Sequence, residues 1–318
     1  MENFEKILQS LKEEDIFNRI FEIKTKEIIL NNLQEKYLQF KKQKLIFIDD
    51  KILGKSAIFN LSRANRPQPL NETENQKEDP FCKYMTETPI DEIGRLENEF
   101  SVTASNLSKM ADYHSLVIFK KHNFQDVNEK DFISSISLAK EWFENIKKFD
   151  PEIKNRILIW NYHFRSGASI LHPHFQLLAY KYTPLVITDL KRKLENYQKN
   201  FTTDYFQDYF NLMKKINLAK EENNIKAWVS LTPEKEKGIN FYGNLFENSK
   251  FLWEIIKNLI QTGTQSFNFF YLLDLNYGFF VDRGEVKKLN SDFGSLEIFG
   301  IKIISSDPTE LARAIFKN

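Results

Sequence analysis

The stretch from Asn161 to Gln176 reads NYHFRSGASILHPHFQ, and its last five residues constrain the fold most sharply. His172, His174 and Gln176 alternate with Pro173 and Phe175. Successive side chains of a strand point to opposite faces, so these three share one face and their neighbours the other. The run continues into Leu177, Leu178, Ala179 and Tyr180, which predicts a strand with one imidazole-lined face and one apolar face. Alternate strand residues lie roughly 6–7 Å apart at Cα, which suits two adjacent tasks, such as a metal ligand beside a nucleophile. Just upstream, Ser166-Gly167-Ala168-Ser169 carries only small side chains, so backbone N–H groups there can approach an anion closely. Asn161 adds an amide able to hold a ribose or phosphate oxygen. A lone strand histidine is usually structural, but three of the five histidines fall between His163 and His174, with Gln176 in phase.

Asn161, Gly167-x-Ser169 and His172-Pro173-His174-x-Gln176 together resemble the active-site segment of galactose-1-phosphate uridylyltransferases, a branch of the histidine-triad nucleotidyltransferase superfamily. The resemblance covers residues 56–182 well, is loose through 200–318 and is absent from the first 45. It implies His174 as the nucleophile, with Gln176 and Ser169 on phosphate oxygens and Asn161 and Gly167 as further substrate contacts. Arg63 and Arg66, in Arg-x-x-Arg-Pro, match a segment whose arginines line the nucleotide site. Asn106 matches an Asn near the nucleoside, and Glu297 a Glu that contacts sugar hydroxyls, although Leu296 replaces the Tyr that normally precedes it. Asp79-Pro80-Phe81-Cys82 stands where the family commonly has Cys-Pro-Phe-Cys, a zinc knuckle. The implied Zn²⁺ ligands are therefore Asp79, Cys82, His122 and His172. Zinc takes Cys, His and carboxylate ligands in tetrahedral sets, so Asp79 in place of a Cys leaves a workable quartet.

The function implied is nucleotidyl transfer from a nucleoside diphosphate sugar through a covalent nucleotidyl-histidine, as in UDP-glucose with hexose 1-phosphate. Phosphorolytic relatives using ADP-glucose or diadenosine tetraphosphate with phosphate are the alternative, as is a nucleotide-binding protein without turnover. Family members are usually dimers, so a homodimer is expected. Residues 185–318 contain no histidine and so cannot carry a second nucleophile of this type.

Lys and Arg number 45 against 44 Asp and Glu, which leaves no global electrostatic footprint for nucleic acid. A single Cys excludes an intrachain disulfide framework and fits a reducing compartment. The N-terminal residues mix charges without an apolar core, and the longest apolar runs are too short for a membrane span. A cytoplasmic protein is expected.

Helical periodicity marks 2–20 and 25–42, then Glu129–Lys148, Leu190–Lys199, Tyr205–Glu222 and Phe251–Thr262. Strand patterns mark 45–48, 57–60, 101–104, 115–120, 156–160, 226–231 and 266–273. The fold expected is α+β: two histidine-triad-like units, each an antiparallel sheet with packed helices, behind an N-terminal helical extension. The boundaries fall at 1–45, 46–184 and 185–318.

Overall fold

The computed structural model describes residues 21–31, 33–35, 38, 41–50, 55–59, 79–215, 217–230, 233–235, 237–286 and 308–316. Among the described residues, nine strands form one antiparallel sheet in the order β4-β5-β7-β6-β11-β12-β10-β9-β8. The first half contributes β4 (Ser101–Ser105), β5 (Tyr113–Phe119), β6 (Asn155–Tyr162) and β7 (His174–Tyr180). The second half contributes β8 (Ala219–Glu222), β9 (Ile225–Val229), β10 (Ile239–Tyr242), β11 (Phe267–Leu272) and β12 (Tyr277–Asp282). The two sets of strands meet edge to edge, β6 pairing with β11 from Tyr162↔Phe267 to Ile157↔Leu272.

One face of this sheet is closed by helices α1 (Glu129–Phe149), α4 (Ser249–Gln261) and α5 (Pro308–Phe316). Helix α1 starts on a capping box, in which the Asn128 side chain accepts from the Lys130 and Asp131 N–H groups while Asp131 accepts from the Asn128 N–H. Its apolar stripe, including Phe132, Ile136, Trp142 and Phe143, packs with Val117, Phe119, Trp160, Phe175 and Leu177 in one continuous core. The rings of Trp160 and Phe175 lie 5.0 Å apart, edge to face. This is where the apolar alternate residues of β5, β6 and β7 go, and it turns the other set of side chains toward the opposite face.

On that opposite face lies a separate three-stranded sheet of β1 (Phe21–Ile29), β2 (Lys42–Asp50) and β3 (Lys55–Phe59). Ile28, Leu45 and Phe47 pack there with Leu178, Tyr180, Ile157 and Leu272. Helices α2 (Leu185–Phe201) and α3 (Tyr205–Lys215) belong to the second half. Phe206 of α3 stacks on Tyr277 at 4.3 Å between ring centroids. Among the described residues, no helix is long and apolar enough to cross a membrane.

Two sequence expectations are corrected. The helical extension does not include residues 21–29: they form β1, paired antiparallel with β2 from Phe21↔Asp50 to Ile29↔Lys42. Burial there has a period of two, with Ile28 6% and Leu30 2% exposed but Ile29 55% exposed, so the apparent helical spacing was accidental. The expected first helix, 2–20, lies outside the described residues. The helix expected over 205–222 stops at Lys215, and Ala219–Glu222 pairs with β9 as the sheet's outer strand. Asn217, at a φ of +57°, makes the turn between them.

Candidate active site

His174 is the first residue of β7 and is buried. Its Nδ1 lies 2.8 Å from the backbone carbonyl of His172. A carbonyl only accepts, so Nδ1 carries the hydrogen and Nε2 carries the lone pair. Burial pushes the imidazole pKa down to about 4, so the ring is neutral near pH 7. Phe81 packs edge-on against it at 5.0 Å.

His172, two residues earlier, does something different. Its Nε2–H donates to the Phe119 carbonyl at 2.6 Å, which leaves Nδ1 as a ligand atom. Around that atom stand Asp79 Oδ2 at 3.3 Å and Cys82 Sγ at 3.8 Å. His122 Nδ1 completes the group, 3.1 Å from Cys82 Sγ and 3.4 Å from Asp79 Oδ2. Ligands at about 2.0–2.3 Å from a tetrahedral zinc stand roughly 3.3–3.7 Å from one another; the four pairs above lie near that, and all four ligand atoms fall within 4.8 Å of one another. Asp79 is preset: its Oδ1 accepts from the Phe81 and Cys82 N–H groups at 2.8 and 3.2 Å, which turns Oδ2 to the cluster. These four residues could hold a metal ion.

Gln176 shares the face of His174, and its Oε1 lies 3.0 Å from Nε2 of His114 on β5. The tautomer of His114 is fixed from its other side, where the Met110 N–H donates to Nδ1 at 3.2 Å. Nε2 is therefore the protonated nitrogen and donates to Gln176 Oε1, which leaves the Gln176 amide N–H groups outside this bond. Asn106 packs against the same ring, with its Nδ2 at 3.2 Å from Nε2, and its Oδ1 accepts from the Ser108 N–H. The loop bearing Asn106 is clamped by Gln43 of β2, which accepts from the Lys109 N–H at 2.8 Å and donates to the Leu107 carbonyl.

Asn161 is on β6. The β6–β7 pairing runs from Asn155↔Tyr180 to Ile159↔Gln176, and Asn161, two residues further along β6, lies on the same face as Ile159 and Gln176. Its Oδ1 accepts from Asn268 Nδ2 of β11 at 2.7 Å. After β6 the chain makes a tight turn. His163 has a φ of +71°, a strained conformation for a non-glycine residue, and its carbonyl accepts from Ser166 Oγ at 2.6 Å and Ser166 N at 3.1 Å. Gly167 follows at φ +89°, where a side chain would be disfavoured. Ser169 lies half-buried between this turn and His172.

The structure thus assembles the four expected metal ligands, joins His174 to His172, and gathers Gln176 with Asn106. Arg63, Arg66 and Glu297 lie outside the described residues. Sequence reasoning missed His114, Phe81, Asn268 and Arg283. For His114 and Asn268 the available signal was a polar residue inside an otherwise apolar strand run.

No protein-family profile and no curated protein matches this sequence. Solved structures do match. An ADP-glucose phosphorylase from Arabidopsis thaliana, solved with bound ADP-glucose, superposes with a TM-score of 0.60 at 15% identity, over 86% of this chain and 98% of its own. A galt-like protein from Arabidopsis thaliana gives 0.61 at 14% identity, over 85% and 97%. A uridylyltransferase gives 0.62 at 11% identity, over 85% and 96%. At such identities the likeness is one of fold: across most of its length, this chain has the α+β fold of the uridylyltransferase and the ADP-glucose phosphorylase.

Proposed function

We propose that this chain is a nucleotidyltransferase that acts on a nucleoside diphosphate sugar through a covalent intermediate on His174. The observation that carries the reading is the state of that imidazole. It is neutral, its Nδ1–H is engaged by the His172 carbonyl, and its Nε2 lone pair lies on the face shared with Gln176. Nε2 attacks the α-phosphorus, the N–P bond forms, and the bond to the sugar phosphate oxygen breaks, releasing sugar 1-phosphate. Nδ1 keeps its hydrogen, so the ring becomes positively charged, and the His172 carbonyl stabilises that charge. An acceptor phosphate oxygen then attacks phosphorus, and the N–P electron pair returns to Nε2. Gln176 and Asn161 present amide N–H groups to the non-bridging oxygens, where charge shifts during both steps.

In this reading Asp79, Cys82, His122 and His172 hold a zinc ion with a structural part. It would tie the loop at 79–82 and the end of β5 to the residue two before the nucleophile. The deciding experiment is intact-mass analysis after incubation with UDP-glucose, ADP-glucose and GDP-sugars. One nucleotidyl mass should appear and should be absent from His174→Ala. Absence of label with all three classes of nucleotide sugar overturns the reading. Acceptor trials on labelled protein then separate a hexose 1-phosphate transferase from a phosphorolytic enzyme discharged by inorganic phosphate, and from a hydrolase releasing nucleoside monophosphate.

A further inference from the structure

The second half has no histidine, yet it reaches the row of the sheet on which His174 stands. Asn268 of β11 pairs with Asn161 of β6, and its Nδ2 donates both to Asn161 Oδ1 at 2.7 Å and to the Ser166 carbonyl at 2.9 Å. Arg283, the residue after β12, donates from Nη1 to Asn268 Oδ1 at 2.6 Å. Arg165, in the turn before Gly167, donates from Nε to the Arg283 carbonyl at 3.1 Å.

The polarity of this chain of contacts is set by its two ends. A guanidinium only donates, so the end of Asn268 facing Arg283 must be its oxygen. The Ser166 carbonyl only accepts, so the other end of Asn268 must be its nitrogen. That nitrogen faces Asn161, whose near atom must then be Oδ1. Asn161 is left with one way to point: oxygen toward the second half, both amide hydrogens toward the face shared with His174. Without this constraint, a carboxamide could turn over and offer its oxygen to a phosphate, which would repel it.

We propose that Asn268 and Arg283 are positioning residues for the transfer: they fix the Asn161 amide as a donor to the phosphate beside His174 and hold the turn at Ser166. This rests on the nucleotidyl-transfer reading. The test is Asn268→Asp, which keeps size and the contact with Arg283 but has no hydrogen to give. Asn161 then turns its nitrogen to the new carboxylate and its oxygen to the ligand.

Single-turnover labelling should slow by about 10²-fold, the usual cost of one misdirected donor in such a site, with the melting temperature lowered only by the few degrees that loss of the Ser166 contact costs. Arg283→Met, which releases Asn268 without adding a charge, should slow it by about tenfold. That variant stands in if Asn268→Asp does not fold. Binding of UMP and ADP, measured by calorimetry, should weaken in the same order. Wild-type label together with unchanged rates and affinities in both variants overturns the positioning role alone. If wild type binds these nucleotides without labelling, the transfer reading falls. The role of Asn268 in orienting Asn161 is then judged on affinity: weakening in Asn268→Asp supports it, and no change overturns it. No label and no binding in wild type overturns both.

Discussion

His114 offers a way to separate support of the fold from support of the chemistry within one side chain. It is fully buried, accepts from the Met110 N–H on Nδ1 and donates from Nε2 to Gln176. An Asn side chain places its oxygen near the position of Nδ1 and has nothing at Nε2. His114→Asn therefore keeps the bond to Met110 and loses the one to Gln176. The stability cost is one hydrogen bond, about 1 kcal/mol, plus about 1 kcal/mol for the space vacated by the outer ring atoms. That corresponds to a fall of roughly 3 °C in melting temperature for a chain of 318 residues. Gln176, no longer held by its oxygen, is free to turn that oxygen to the phosphate, and labelling by a nucleotide sugar should slow by about 10²-fold. His114→Gln does the converse. Its amide nitrogen reaches the place of Nε2, while the Met110 N–H loses its acceptor at a cost of about 1–3 kcal/mol. It should be no more stable than the Asn variant yet label faster. The assay is the initial rate of mass addition alongside a thermal melt. If the two variants lose rate in step with stability, or if a folded His114→Asn labels at the wild-type rate, His114 does not orient Gln176.

Two further outcomes follow from named contacts. Asp150 accepts from Tyr113 at 2.7 Å and is paired with Lys181 at 2.6 Å; burial works to raise its pKa, but these partners hold it below its ordinary value of 3.8. The carboxylate therefore stabilises the fold above that pH and ceases to as pH falls through the lowered value. Asp150→Asn should cost about 1–2 kcal/mol in urea melts at pH 7, and the gap from wild type should close below about pH 4; a constant gap would contradict this. Dialysis against a zinc chelator should lower the melting temperature, because an ion bound at a thousand times its dissociation constant contributes about 4 kcal/mol. His122→Ala should carry less than about a tenth of an equivalent of zinc, and an unchanged zinc content would remove His122 from the ligand set.

The strand at 174–180 was legible because its two faces differ in chemistry and alternate without a break. The core of α1 was legible for a similar reason, its large apolar residues recurring at the helical period from Glu129 to Lys148. The metal ligands could not be read from spacing, since Cys82 and His172 are 90 positions apart; the resemblance supplied them. His114 gave only the sign of a polar residue within an apolar strand run, because its partner is 62 positions downstream and a single strand histidine is most often inert. Residues 25–33 misled for a local reason: Ile28, Ile29 and Leu33 fit one face of a helix as readily as Ile28 and Leu30 fit one face of a strand. Pairing with β2 decides between them, and a pairing partner is not written in the segment itself.

Among the described residues, the nine-stranded sheet explains how a half without histidines can bear on the reaction proposed for His174. Cross-strand neighbours in an antiparallel sheet share a face, so pairing β6 with both β7 and β11 fixes what stands beside His174. A slip of one residue between β6 and β7 would turn Asn161 to the helical face and bring Trp160 or Tyr162 to the site. A slip between β6 and β11 would replace Asn268 with Phe267 or Phe269 opposite Asn161. The apolar packing of Trp160 with Phe175 and Phe267, at 5.0 and 5.1 Å, opposes both slips, since it requires these residues on the same buried face. The aromatic core on one side of the sheet thereby sets the register of the amides on the other.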